Sequence, residues 1–278
     1  MTGSTGELGG RVANRLARLG ESQRLIVRDP ARAPDLHGST VMHASYADAD
    51  IARRTLFGVS TLFMVSGAEA PDRVDQHRTF VDAAAAAGVD HLVYTSFFGA
   101  APDATFTLAR DHFATEEHIK ASGLRWTFLR DNLYLDFVPL LAGPDGVIRG
   151  PAGDGRVAAV ARDDIADAAV AILRLPAAHA GRTYELTGPN AFTLAEAAET
   201  LSATSGRAVA YHRETLEEAY ASRASYGAPR WQVDAWVSTY TAIAAGEMER
   251  VTDDVARLTG HPPTSLADLL RQPPSSSL

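Results

Sequence analysis

A glycine-rich loop that runs directly into a helix is the feature that most constrains this chain. Residues 2–10 read TGSTGELGG, and apolar Val12, Leu16 and Leu19 then recur at helical spacing. In such a loop one glycine permits a tight turn, a second lets a pyrophosphate approach the backbone, and a third lets helix and strand pack closely. The helix N-terminus adds free N–H groups and a positive dipole end. We therefore predict that the loop binds a dinucleotide, although glycine spacing alone is also found in plain turns.

The residues of this loop predicted to bind the cofactor are Gly3, Ser4, Thr5, Gly6, Glu7 and Leu8. The hydroxyl groups of Ser4 and Thr5 can add hydrogen-bond donors to those of the backbone.

Strands and helices alternate strictly after the loop. Apolar strand segments at residues 25–27, 40–44, 61–67, 91–96 and 125–130 are separated by helical patterns at 48–57, 73–87 and 107–121. This alternation is typical of an α/β fold in which helices cover both faces of a parallel sheet, and with the loop it predicts a Rossmann-type, doubly wound domain. We assign residues 1–187 to this NAD(P)-binding domain, with a loop of the substrate lobe around residues 131–150. Residues 188–278 are predicted to form a smaller, mostly helical C-terminal substrate lobe.

The strand that should precede the glycine loop is almost missing from the sequence. A buried strand has about five residues, yet only Met1 stands before Thr2. Either the start codon is assigned a few residues late or the sheet lacks most of its central strand. We expect the first explanation, and we predict a Rossmann-type sheet whose first strand is truncated.

Composition excludes several classes of function. The 278 residues carry a formal net charge of -8 and no basic block, which disfavours a nucleic-acid or anionic-membrane surface. The chain has no cysteine, so disulfides and thiolate chemistry are excluded. No apolar run approaches the ~20 residues that span a bilayer, and the histidines lack the spacing of metal ligands. The expectation is a cytoplasmic protein without a metal, a membrane anchor or a nucleic-acid partner.

Charged residues after the second predicted strand bear on the form of the nicotinamide cofactor. A carboxylate there binds the ribose hydroxyls of NAD, whereas a cation binds the 2′-phosphate of NADP. The chain offers Arg28, followed by Asp29 and Arg32. We predict NADP(H) held by Arg28, while Asp29 as a ribose ligand, with both arginines simply solvated, is the alternative.

Several motifs together resemble the NmrA-like, atypical short-chain dehydrogenase/reductase family and its type-2 NADPH:quinone oxidoreductase branch. The motifs, which follow one another along nearly the whole chain, are TGSTGELG, VRDP, YTS at 94–96, the His112/Glu116 pair, SGLRWTFLR, GPAGDGR, YELTG and LTGHPPTSLADLL. The resemblance implies NADPH as cofactor and flavin-free reduction of a small quinone or related carbonyl compound. Some such relatives resemble redox sensors, so a non-catalytic NADP(H)-sensing regulator is the alternative function.

The sequence departs from the family pattern at two places. Ser45-Tyr46 stands where relatives carry an Asp-Tyr pair, and Asp136-Phe137 stands where they carry Glu-Asn. We therefore expect the contact near the adenine and the loop over the nicotinamide to differ from the family pattern. A Tyr-x-x-x-Lys pair is also absent around His112.

The candidate catalytic residues are His112, Glu116 and Tyr134. The resemblance places His112 where related reductases carry a catalytic lysine, so it is expected to bind the nicotinamide ribose or to donate a proton. Glu116, one helical turn later, is expected to orient that imidazole. Tyr134 can stack on a quinone or nicotinamide ring and donate from its hydroxyl. The alternatives are a surface His–Glu pair without chemistry and packing of Tyr134 between the lobes.

Three further residues near the predicted sheet edge are assigned to the cofactor: Ser66, Thr95 and Asn132. The aromatic run Tyr226, Trp231, Trp236 and Tyr240 fits the core of the small lobe or the face of a homodimer.

Overall fold

A computed structural model describes residues 1–272 of the chain. Within this range the strands are β1 Gln23–Val27, β2 Ser39–His43, β3 Thr61–Met64, β4 His91–Phe97, β5 Arg125–Asp131, β6 Val147–Gly150, β7 Arg156–Val157, β8 Arg182–Leu186, β9 Phe192–Thr193 and β10 Ala210–Arg213. The helices are α1 Glu7–Arg18, α2 Ala49–Leu56, α3 Arg73–Ala86, α4 Thr107–Ala121, α5 Arg162–Arg174, α6 Leu194–Ser205, α7 Leu216–Arg223, α8 Arg230–Ala244, α9 Asp254–Thr259 and α10 Leu266–Arg271.

The main sheet is parallel throughout. Strands β3, β4, β5 and β8 pair in that order, and β1 pairs with β2. Parallel pairing places the carboxyl ends of these strands at one edge, where open α/β sheets bind their ligands. The predicted fold class is therefore confirmed.

Met1 and Thr2 connect the two groups of strands. The Thr2 amide donates to the Phe63 carbonyl on β3 at 2.9 Å, and the Ile26 amide on β1 donates to the Met1 carbonyl, also at 2.9 Å. Thr2 thus forms a parallel bridge in the position of the predicted truncated strand.

Helices cover both faces of the sheet because its central strands, β3 and β4, are buried on both sides. One face packs against α1, α5 and α9 around Val12, Phe63 and Ile165, all fully or almost fully buried. The other packs against α2, α3 and α4 around Phe80 and Tyr94. This two-sided burial explains why the strands read as continuous apolar runs.

The segment 135–157 joins the C-terminal elements in a separate core. That core includes Leu135, Ile148, Leu194 and Ile243. Besides helices it contains two small strand pairs, β6 with β10 and β7 with β9. Helix α9 instead contacts α5 in the main core. Residues 273–278 of the predicted lobe lie outside the described residues, and the domain boundaries stay predictions.

No helix within residues 1–272 combines the length and the apolar character required to cross a membrane.

Candidate active site

The glycine loop is closed by backbone contacts that side chains would obstruct. Gly3 has φ +71°, and a Cβ atom there would lie 2.7 Å from Cβ of Val65. A Cβ atom on Gly9 would overlap the carbonyl group of Gly3. These two glycines therefore permit the turn and the close approach of α1 to the loop, as the spacing predicts.

The N-terminus of α1 offers an anion site. Its N-cap residue is Gly6, which has no side chain to cap the free N–H groups of the first turn. The hydroxyl oxygen of Ser4 is buried and has no hydrogen-bond partner among the described residues. A buried hydroxyl beside uncapped N–H groups fits the phosphates of a dinucleotide, because both would otherwise lose hydrogen bonds to water.

The two charged residues that follow β1, Arg28 and Asp29, have different surroundings. Arg28 is exposed next to the strand. The carboxylate of Asp29 instead accepts a hydrogen bond from the Ala31 amide at 3.0 Å and caps the short 3₁₀ turn Pro30–Arg32. This contact occupies one oxygen of Asp29 locally, whereas the cation of Arg28 faces solvent.

A cavity of about 1080 Å³ lies between the carboxyl edge of the sheet and the C-terminal elements. Its wall is rich in aromatic side chains, namely Phe97, Phe106, Tyr134, Phe137, Tyr226, Trp236 and Tyr240. The polar groups Arg73, Ser96, His112 and Asp131 line its sheet side. A largely aromatic cavity with a few convergent polar groups is typical of a site for a flat organic molecule.

Arg73, the first residue of α3, is a buried cation in this wall. Its Nε donates to the Gly67 carbonyl at 3.1 Å, and its Nη2 lies 2.9 Å from Nε2 of His112. Asp111 lies 3.5 Å from Nη1, which is buried and has no hydrogen-bond partner among the described residues. Because a guanidinium can only donate, Nε2 of His112 must accept.

The hydrogen bonds of His112 define its tautomer. Since Nε2 accepts from Arg73, the ring proton lies on Nδ1, 3.0 Å from the hydroxyl oxygen of Tyr94. Burial and the nearby charge of Arg73 lower the pKa of His112 well below its ordinary value. The imidazole is therefore neutral, and both of its nitrogens are engaged inside the protein.

Glu116 forms no hydrogen bond or ion pair with His112, so the predicted pairing is wrong. Its carboxylate accepts from Arg130 at 2.8 and 2.6 Å and from the Ser96 hydroxyl at 2.6 Å. Glu116 is completely buried. Spacing by four residues puts two side chains on one helix face. Here, however, Glu116 meets β4 and β5, whereas His112 meets Arg73 on α3 and Tyr94 on β4.

Asp131, the last residue of β5, is a buried acid in the cavity wall. Its Oδ1 has no partner among the described residues, and its Oδ2 lies 3.4 Å from the Tyr134 hydroxyl. Burial raises the pKa of Asp131 well above its ordinary value, although the hydrogen bond from Tyr134 opposes this shift.

Residues 3–176 match the family described as NAD(P)H-binding. The chain belongs to the NAD(P)H-binding family.

Relatives of this NAD(P)H-binding chain extend over its whole length. Quinone oxidoreductase 2 of Escherichia coli is 35% identical over 276 residues and 96% of both chains. The NADPH complex of the NADPH-dependent quinone oxidoreductase from that organism superposes with a TM-score of 0.87 over 97% of both chains, at 34% identity. The NAD(P)H azoreductase of Xenophilus azovorans is 31% identical over 98% of this chain and 96% of its own. The NADP(H) complex of Citrobacter triphenylmethane reductase has a TM-score of 0.86 and 32% identity, and covers 97% and 98%.

These comparisons confirm three predictions. The resemblance to NmrA-like reductases and their quinone oxidoreductase branch holds, and the chain is an NAD(P)H-dependent oxidoreductase. Nicotinamide dinucleotide as cofactor is confirmed by the family match, and NADP(H) is the form bound in the two solved relatives.

The remaining predicted site residues of the NAD(P)H-binding chain lie near one another at the sheet edge. Ser66 lines the cavity, and its amide donates to Oγ1 of buried Thr95 at 2.8 Å. The side-chain amide of Asn132 donates from Nδ2 to the Met248 carbonyl at 3.1 Å. Tyr134 stacks with Phe137, and the Arg162 guanidinium lies 4.9 Å from the Tyr134 ring centroid. The functions of these residues stay predictions.

Two residues of the cavity have no functional assignment from the sequence, Arg73 and Asp131. The sequence places Asp131 at the end of a strand, but no motif distinguishes it from its neighbours. Arg73 opens a predicted helix and resembles any first-turn cation. The one available signal is position, because the carboxyl edge of a parallel sheet collects functional side chains. Among the described residues, no cluster of three or more histidine, cysteine or acidic side chains could hold a metal.

Proposed function

We propose that this chain reduces quinones or related conjugated carbonyl compounds with NADPH and without a flavin. The observation that carries the proposal is the aromatic cavity at the carboxyl edge of the sheet, with the buried cation of Arg73 in its wall. The named quinone reductase among the relatives supports this class of acceptor. When bound, NADPH supplies a hydride, so the protein has to position the acceptor and stabilise the negative charge that develops on its oxygen.

Arg73 is suited to stabilise that charge. It is 5% exposed, and its Nη1 offers N–H groups without a hydrogen-bond partner among residues 1–272. A fixed, buried cation interacts strongly with an oxyanion that develops beside it, because little solvent screens the two charges. His112 acts through Arg73, because its Nε2 accepts from the guanidinium and holds it in place.

Tyr134 and Glu116 have separate tasks in this proposal. The ring of Tyr134 provides a flat surface on which an aromatic acceptor can stack. Glu116 is a positioning residue, since it binds Arg130 and the Ser96 hydroxyl at the edge of the cavity. The loop residues from Gly3 to Leu8 hold the phosphates, and Ser66, Thr95 and Asn132 shape the edge where the nicotinamide would lie.

Anaerobic NADPH oxidation with a panel of quinones tests the proposed reaction. We expect turnover with at least one quinone, and the Arg73→Gln variant should lower kcat by about tenfold because an uncharged donor replaces a charged one. Circular dichroism checks that the variant is folded. Tight NADPH binding without turnover of any acceptor would contradict the proposal and favour the cofactor-sensing alternative.

Arg28 is proposed to select NADPH over NADH by pairing with the 2′-phosphate. The charge reversal Arg28→Glu should weaken NADPH binding by about tenfold or more and change NADH binding little, because only NADPH carries that phosphate. Isothermal titration with both cofactors measures the difference, and Arg32→Glu serves as a nearby control. Equal loss of affinity for the two cofactors would remove Arg28 from the selection.

A cytoplasmic location and a homodimer are also proposed. The absence of cysteine suits a compartment in which disulfides are not needed, and NADPH-dependent reduction is intracellular chemistry. Tyr226 is strongly exposed at the rim of the cavity and could contact a second copy. Sedimentation velocity would measure the oligomeric state.

A further inference from the structure

We infer that Asp131 is the proton donor of the reduction, a role that rests on the proposed function. Reduction of a quinone by a hydride leaves an anionic oxygen, and the hydroquinone forms only when that oxygen receives a proton. Asp131 is 1% exposed, lies in the cavity wall, and has one carboxyl oxygen, Oδ1, without a hydrogen-bond partner within residues 1–272.

Other titratable groups of the cavity fit this role less well. The imidazole of His112 is neutral, and its one ring proton is directed to Tyr94. Burial raises the pKa of Tyr134 well above its ordinary value, so its hydroxyl is a weak acid. The guanidinium of Arg73 is already engaged with Asp111 and His112 and acts as a cation. A carboxylic acid that stays protonated in a buried wall can both donate a hydrogen bond and give up its proton.

The surroundings of Asp131 explain how it holds that proton. No cation forms an ion pair with it among the described residues, since Arg73 pairs with Asp111 and Arg162 lies over the Tyr134 ring. The Tyr134 hydroxyl, 3.4 Å away, is its side-chain hydrogen-bond partner. Ionisation therefore places a poorly compensated charge in a buried position, which the protein resists at neutral pH.

The step balances in atoms and electrons. The hydride adds two electrons and one hydrogen nucleus to the quinone, and the O–H bond of Asp131 breaks as its proton moves to the anionic oxygen. The carboxylate that remains accepts the hydrogen bond of Tyr134, and water entering from the mouth of the cavity restores the proton.

An acceptor that needs no proton provides the sharpest test. A cationic triphenylmethane dye becomes neutral on accepting a hydride alone, whereas a quinone needs a hydride and a proton. In the Asp131→Asn variant the ratio of quinone to dye turnover should fall about 100-fold, because the amide can donate a hydrogen bond but no proton. The quinone reaction of the unmodified chain should also slow as pH rises through the raised pKa, and that dependence should vanish in the variant. The control Asp154→Asn removes an exposed carboxylate on a surface turn and should change neither quantity.

Thermal unfolding without cofactor gives a second readout. The folded chain keeps the Asp131 proton while the unfolded chain releases it above about pH 4, so folding is favoured less as pH rises. The melting temperature of Asp131→Asn minus that of the unmodified chain should therefore increase from about pH 5 to about pH 8.

Three outcomes would overturn the inference. A constant difference in melting temperature across that range would show that Asp131 is ionised. An equal loss of quinone and dye turnover in Asp131→Asn would mean that the residue positions the cofactor. If the unmodified chain reduced no quinone, the proposed function would fail and this role with it, although the melting curves would still report the protonation of Asp131.

Discussion

Replacement of Arg130 with methionine should lower the free energy of unfolding by about 3–5 kcal/mol. Arg130 donates two hydrogen bonds to the fully buried Glu116, and methionine would leave that carboxylate without a cation. Urea unfolding of the variant and of the unmodified chain measures this loss.

The matched control for this change is Arg125→Met on the same strand. Arg125 pairs with Asp90, but both side chains are more than half exposed. An exposed pair contributes little because solvent screens it, and we expect a change of about 0–1 kcal/mol. Similar losses in the two variants would show that the burial of Glu116 adds nothing to the strength of its ion pair.

Substitution of Gly9 by alanine should weaken NADPH binding about 100-fold. The new Cβ atom would overlap the carbonyl group of Gly3, which is backbone and cannot swing aside. Opening the loop to relieve this overlap costs about 3 kcal/mol and moves the uncapped N–H groups of α1 away from the phosphates. Fluorescence titration with NADPH measures the effect, and thermal unfolding reports any loss of the fold.

Gly10→Ala is the control one residue later. Its Cβ atom would lie 3.3 Å from the carbonyl oxygen of Ser4, a tight contact that a small shift relieves. Alanine also favours the helix over glycine by about 1 kcal/mol. We expect NADPH affinity to be nearly retained, and a loss equal to that of Gly9→Ala would mean that the overlap at Gly9 is not the cause.

The fold was largely predictable because its signals are local. Apolar strands alternate with helices that are each followed by a glycine, and this pattern indicates a parallel sheet. The structure contains those elements within a few residues of the predicted bounds. The small strand pairs, β6 with β10 and β7 with β9, were not anticipated. Strands of two to four residues leave little periodicity, and their partners lie up to 63 residues away.

The active site was predictable in position and less so in its pairings. His112, Ser66, Asn132 and Tyr134 line one cavity, as their places at the sheet edge suggest. The expected hydrogen bond between His112 and Glu116 is absent, because α4 packs on the sheet and directs these two buried side chains to different polar partners.

The sequence alone predicts the glycine loop, the order of strands and helices, and the position of Arg28 beside the second predicted strand, since backbone conformation and side-chain periodicity depend on near neighbours. The sequence does not predict the partners of buried charges. Arg73 meets His112 across 39 positions, Glu116 meets Arg130 across 14, and Asp131 has in the cavity wall an oxygen without a hydrogen-bond partner within residues 1–272. Only the tertiary structure decided these contacts, because a buried polar group is satisfied by whatever packing brings within hydrogen-bond reach.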